Sequence, residues 1–263
     1  MRPDPAPQAR GALVSTASDS LVEVESAPEC RSAVVCIPQG AAGAASLVSL
    51  ARSFRGSASV WIARFPGRES RILEPPLTSI EEMASSLLPA ALRIEAENIV
   101  FFGHCSGALV AYELAHMLSR EACAWPNAWL ALSGQAPPII SQGPDEVIPR
   151  SQLGLIEKLR ANGGTPEDVL ADAEFLEMLA PMIEADFDAW DRYRAPEGRG
   201  KLAISISVLG GKADETVCEA DLLAWQDHTT GQFRCDLLDG DHFFLTEQEN
   251  TVGEILMDLL SLR

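Results

Sequence analysis

A chain of 263 residues, 47% of them hydrophobic, is long enough to bury a full core, and one α/β domain of that length is ordinary. Thirty-eight acidic against twenty basic side chains give a net charge of −18, which argues against broad binding to nucleic acid or anionic membranes and leaves most carboxylates as a solvated surface. No apolar run approaches the ~18 residues of a membrane span, and the polar, proline-rich opening MRPDPAPQARGALVSTASDS lacks the apolar segment of a secretory signal.

Residues 1–28 read as a flexible lead-in to a domain over 29–263. Short β-rich runs at 33–38, 60–65, 99–103, 129–133, 204–210 and 233–238 alternate with amphipathic helical stretches, clearest at 80–95 and 106–118. That alternation predicts an α/β fold: a mostly parallel central sheet covered by helices on both faces. Between 133 and 204 it stops. Residues 148–194 read as helices, broken at Gly163-Gly164-Thr165-Pro166, where Thr165 can cap a helix begun by Pro166. The apolar face Val169, Leu170, Phe175, Leu176, Leu179, Met182, Ile183 and Phe187 is large, and 138–198 is expected to form a helical lid. Plain helical packing on the sheet fits the same pattern. At the end of the chain Val252, Ile255, Leu256, Leu259 and Leu260 follow the spacing of a helix packed on one face.

The stretch NIVFFGHCSGALVAYELAHML, residues 98–118, carries the strongest chemical signal. An apolar strand meets Gly103-His104-Cys105-Ser106-Gly107 and passes straight into a helix, the layout of a nucleophile elbow, normally G-x-S-x-G. Its central residue is held at the top of a sheet beside a helix N-terminus, where negative charge is favoured. Here that residue is Cys105, which points to acyl chemistry through a thiol. Ser106 sits one place off the centre and suits the donation of its backbone N–H to an oxyanion.

Such a triad runs nucleophile, acid, base along the chain. His242, in LLDGDHFFL, is the base candidate; His104 lies in the elbow, His116 inside a helix and His228 at a helix end. Asp214, on the loop after a strand in ISISVLGGKADETV, is the acid candidate, with Glu215 and Asp239 as weaker rivals, while Asp241 adjoins His242 too closely to reach its ring. His242 would then take the proton from Cys105 and Asp214 would orient it. Cysteines 30, 36, 105, 123, 218 and 235 are scattered, with no C-x-x-C pair and no metal-ligand spacing with the four histidines, so no metal site and a reducing, cytoplasmic setting are expected.

The chain resembles the type II thioesterases of the α/β-hydrolase superfamily, free-standing enzymes of nonribosomal peptide and polyketide pathways. FFGHCSGALVAYELA resembles their elbow, FPGRESRILEPPLTSIEEMA the stretch after their second strand, LRANGGTPEDVLADAEFLEMLAPMIEADF their lid and LAWQDHTTGQFRCDLLDGDHFFL their last strand and histidine. These matches cover roughly residues 33–250 in the right order. By position the family triad falls on Cys105, Asp214 and His242. Two departures stand out: the family has serine at position 105, and it has Pro-His-Ala-Gly-Gly where this chain has Pro38-Gln39-Gly40-Ala41-Ala42-Gly43. The resemblance implies an oxyanion hole from the backbone N–H groups of Gly40 and Ser106. An engineered serine-to-cysteine change explains the first departure alone; the second points to a lineage diverged around the site, and hence to a natural cysteine.

A cysteine acyl-enzyme is a thioester, close in energy to a pantetheine thioester, so a second carrier thiol can collect the acyl group with little loss. Thiolates attack thioesters well, whereas water must be activated separately. Cysteine-bearing relatives act as aminoacyltransferases between carrier proteins, as in coronamic acid assembly. The expected function is therefore acyl or aminoacyl transfer between carrier-protein 4′-phosphopantetheine arms, with no cofactor of its own. The alternative is an editing thioesterase that hydrolyses acyl groups from carriers. A non-catalytic binding subunit is disfavoured by the presence of Asp214 and His242.

Overall fold

Seven strands assemble in the order β1-β3-β2-β4-β5-β6-β7, all parallel except β1, which runs antiparallel to β3. They are β1 Leu21–Glu25, β2 Ser32–Ile37, β3 Ser59–Ala63, β4 Asn98–His104, β5 Asn127–Ser133, β6 Ser205–Gly211 and β7 Phe233–Leu238. The computed structural model describes residues 20–121, 125, 127–138, 159 and 170–262. Parallel neighbours need crossovers, and the helices α1 Val48–Arg52, α2 Ile80–Ala91, α3 Ser106–Leu118, α4 Ala173–Arg192 and α5 Glu219–Leu223 lie in them; α6 Phe244–Glu247 and α7 Glu249–Ser261 follow β7.

The central strands are apolar at consecutive positions because both faces are covered. Alternate residues enter two cores. Val35, Ile37, Ile99, Phe101, Leu130 and Leu132 pack toward α2 and α3, while Val34, Cys36, Val100, Phe102, Trp129 and Ala131 pack toward α1 and α7. Helix α7 buries Val252, Ile255, Leu256, Leu259 and Leu260, the face read from its spacing. Helix α2 is capped by Ser79, whose hydroxyl accepts from the Glu82 N–H at 3.1 Å. It stops at Ala91 rather than Glu95, because the N–H groups of Arg93 and Ile94 bond three residues back and tuck Ile94 into the core.

One boundary needs correction. Strand β1 lies inside the stretch expected to be a flexible lead-in through residue 28. It is an edge strand of five residues, LVEVE, with two glutamates, too short and polar for a clear period-2 signal. Residues 1–19 lie outside the described residues.

Where the alternation broke off, the described part of the chain between β5 and β6 includes α4, twenty residues long. Its Leu176, Met182 and Ile183 form a separate small core with Leu159 and Leu170, against which Leu179, Phe187 and Ala41 pack. Val169 and the break at Gly163 to Pro166 lie outside the described residues.

Candidate active site

Open parallel sheets bind ligands beyond the carboxyl ends of their strands, and every residue of the candidate site leaves such an end. The loop after β2 carries Gly40, that after β3 carries Arg68, β4 delivers Cys105, β6 leads to Asp214 and β7 to His242.

Cys105 has φ 51° and ψ −129°, a strained conformation for a residue with a Cβ. The flanking glycines make the turn possible. A Cβ on Gly103 would stand 2.2 Å from the Gly107 carbonyl oxygen, and one on Gly107 would stand 2.5 Å from the carbonyl oxygens of Ile37 and Pro38. The Cys105 N–H donates to the Ser133 carbonyl at 2.8 Å, and α3 begins at once with Ser106. The thiol is half-buried. Cys36, fully buried on β2, has its thiol pushed up to about 12 by burial, which leaves it inert.

His242 Nδ1 lies 2.8 Å from Asp214 Oδ2. The other oxygen of Asp214 accepts from the Thr216 N–H at 2.8 Å, the Thr216 hydroxyl at 2.7 Å and the Val217 N–H at 3.1 Å. A carboxylate with three other donors is an acceptor, so Nδ1 carries the proton toward it and Nε2 is left to act on Cys105. Burial opposes ionisation of Asp214, but the bonds from His242 and Thr216 prevail and hold it down to about 2. Burial also opposes charge on His242; the bonds to Asp214 and Cys105 and their negative charge outweigh it and push the imidazole up to about 10. His242 is thus an imidazolium at neutral pH when the sulfur opposite is negative.

The other candidates are occupied elsewhere. His104 is buried, with Nδ1 2.9 Å from Ser133 Oγ. Asp239 pairs with Lys212 at 2.7 Å, and Asp241 accepts from the Phe243 N–H at 2.8 Å. His116 and His228 lie against Tyr112 within a cluster at the later turns of α3.

Gly40 and Ser106 are adjacent, as position implied, but with a correction. The Gly40 N–H does not point free into the site; it donates to Ser106 Oγ at 2.8 Å. Sequence reasoning also missed Thr216, which buttresses Asp214, and a buried ion pair at the next residues of the loop. Ala41 N–H donates to Asp186 Oδ2 at 2.8 Å, and Arg68 forks onto the same carboxylate. The only linear sign of the pair is an acid in the apolar face of a helix and an arginine after a Gly.

The sequence pattern of the thioesterase domain family matches residues 32–260. The chain belongs to that family. It is 32% identical over 220 residues to a probable cadicidin biosynthesis thioesterase of Streptomyces griseus, spanning 84% of this chain and 60% of that relative's length. It is 32% identical over 240 residues to the gramicidin S biosynthesis protein GrsT of Aneurinibacillus migulanus, covering 91% and 92% of the two chains. The type II thioesterase BorB from the borrelidin biosynthetic cluster superposes with a TM-score of 0.83 at 28% identity, over 95% of this chain and all of that one. The fold is thus the α/β-hydrolase architecture of thioesterases. Among the described residues no helix is long and apolar enough to cross a membrane, and no group of three or more His, Cys, Asp or Glu is placed to hold a metal ion.

Proposed function

We propose that this thioesterase-family chain passes an acyl or aminoacyl group between carrier-protein phosphopantetheine thiols, through a thioester on Cys105, in nonribosomal peptide or polyketide biosynthesis. The observation that carries this reading is a thiol at the strained elbow facing an imidazole that Asp214 and the sulfur itself keep protonated well above neutral pH. The names of the relatives, tied to gramicidin S and borrelidin biosynthesis, support the carrier-bound substrate.

The Cys105 sulfur, as thiolate, attacks the donor's thioester carbonyl. The resulting oxyanion takes the N–H of Ser106 and, once the Ser106 hydroxyl yields, that of Gly40. The carbon–sulfur bond to the donor arm breaks, and the departing thiolate takes the proton from His242. The acyl group now neutralises the cysteine, so His242 can accept a proton from an incoming pantetheine thiol. That thiolate attacks the Cys105 thioester and releases the Cys105 thiolate, closing the cycle. A thiol gives up its proton several pK units more readily than water, which favours transfer. Helix α4, within residues 138–198, serves as the lid, and a reducing cytoplasm preserves the thiol.

Hydrolysis is the second reading, favoured by the relatives named as thioesterases. Incubation with an acyl-loaded carrier should add the acyl mass to Cys105, and Cys105→Ala should abolish the adduct. The acyl-enzyme should persist for minutes in buffer and discharge quickly onto an empty holo-carrier. Release of free acid at the same rate with and without acceptor would replace transfer by editing hydrolysis.

A further inference from the structure

Arg68 and Asp186 are 118 positions apart and almost fully buried, with side chains 4% and 3% exposed. Arg68 Nη1 and Nη2 each reach the Asp186 carboxylate at 2.8 Å. A buried pair of this kind adds little stability over an apolar packing of the same volume. This one also leaves Arg68 Nε buried with no hydrogen-bond partner among the described residues. Stability is therefore a poor account of it, and its remaining contacts say what it does hold.

Asp186 Oδ2 accepts the Ala41 N–H at 2.8 Å, and Arg68 Nη1 donates to the Ala42 carbonyl at 2.9 Å. The pair thus grips the backbone of two successive residues. Between those grips Ala41 has φ 62°, a left-handed conformation that a side chain disfavours. Such a conformation persists only where its surroundings over-determine it. One residue earlier is Gly40, whose N–H meets Ser106 Oγ and whose missing Cβ would come within 3.1 Å of that oxygen and 3.6 Å of Asp186 Cβ. The two halves of the clamp come from different parts of the fold. Arg68 follows β3, where Gly67 packs against Met182 of α4, and Asp186 lies one turn further along α4 on the same face.

We propose that Asp186 and Arg68 are positioning residues that couple the seating of α4 to the geometry of the oxyanion loop. With α4 in place, Asp186 takes the Ala41 N–H, Ala41 is held at positive φ, and the Gly40 N–H is kept against the Ser106 hydroxyl, beside the site. With α4 lifted, the Ala41 N–H loses its acceptor and Gly40 turns away. The Gly40 donor is therefore within reach of an oxyanion, once the Ser106 hydroxyl yields, only under a closed lid, which restricts acyl transfer to a site from which water is excluded. This rests on the acyl-enzyme reading above.

The test measures acyl loading from a loaded carrier and alkylation by iodoacetamide, side by side, in the full chain. Alkylation is a displacement at carbon that forms no oxyanion, so it reads the nucleophile without the hole. Asp186→Asn should lower the loading rate at saturating donor by about 10- to 100-fold, below the ~10²–10³ of removing a donor outright. The half-saturating donor concentration and the alkylation of Cys105 should each stay within about twofold. Adding Ala41→Gly, which makes positive φ free of strain, should recover a substantial part of the lost rate. Loading within twofold of the native chain, a parallel fall in alkylation, or no recovery by Ala41→Gly would each overturn the clamp. Absence of a Cys105 adduct in the native chain would instead overturn the acyl-enzyme reading, and the clamp with it.

Discussion

Two imidazoles stand together at the end of the sheet, ring centroids 5.5 Å apart, and hold their protons at opposite extremes. Burial, with the charge of its neighbour, drives His104 down to about 3, whereas the contacts to Asp214 and Cys105 lift His242 to about 10. The same contrast separates the N-terminal end of α3 from its later turns. At those turns burial lowers His116 to about 4 and also lowers His228. There the carboxylate Glu113 is spent on Arg199, bonded at 2.9 Å through Nη2, and on the Tyr193 hydroxyl. Burial thus makes a histidine inert unless a committed carboxylate faces it. The N-terminal end of the helix has one such carboxylate, Asp214, and the later turns have given theirs, Glu113, to an arginine.

The largest effects should come from breaking the arrangement at the N-terminal end of α3. His242→Ala removes the proton carrier and should be the most damaging change short of Cys105→Ala. Asp214→Asn should follow, lowering acyl loading by about 10³–10⁴-fold. Its signature is in the pH profile. In the native chain the His242 ring, followed by NMR, should titrate well above its ordinary 6.5, and Asp214→Asn should bring that titration down. An unmoved profile would mean that the carboxylate does not set the charge of the histidine.

The same pair makes stability depend on pH. Asp214 is depressed from its ordinary 3.8 to about 2, so its contribution is present above about pH 4 and lost as pH falls toward 2. His242 is raised from 6.5 to about 10, so its contribution is full below pH 6.5 and lost as pH rises toward 10. Urea unfolding should therefore show the pair contributing most between about pH 4 and 6.5, a window that Asp214→Asn should flatten.

At the later turns of α3 the effect should be on stability alone. Glu113→Gln leaves Arg199, 11% exposed, without its counter-charge and should cost about 3 kcal/mol, the low end for breaking a buried pair. Iodoacetamide labelling of Cys105 should be unchanged; a fall in labelling would show that the Glu113 cluster tunes the site and erase the contrast. The smallest expected effect is Ser106→Ala. It frees the Gly40 N–H from a competing acceptor and should raise acyl loading a few-fold. A tenfold loss would mean that the Ser106 hydroxyl itself donates to the oxyanion.

The elements that were legible are those whose signal is local. Strands β2 to β6 read as apolar runs because both faces are covered, and α7 showed its buried face in its own spacing. The elbow is written in five consecutive residues, since Gly103 and Gly107 are set by close backbone approach. Strand β1 escaped because its five residues gain their partner only by pairing with β3.

Chain order and turn chemistry in the sequence were enough to single out Cys105, Asp214 and His242 as candidates, since a triad order and the loops after strands are linear properties. Tertiary structure alone decided the charge of each histidine, because desolvation and a facing carboxylate depend on neighbours that no local pattern records. It also decided that the Gly40 N–H is taken by Ser106, and that Arg68 and Asp186 meet across 118 positions to grip Ala41. Hydrogen bonds between distant segments carry no periodicity, and only folding brings their donors and acceptors within 3 Å of one another.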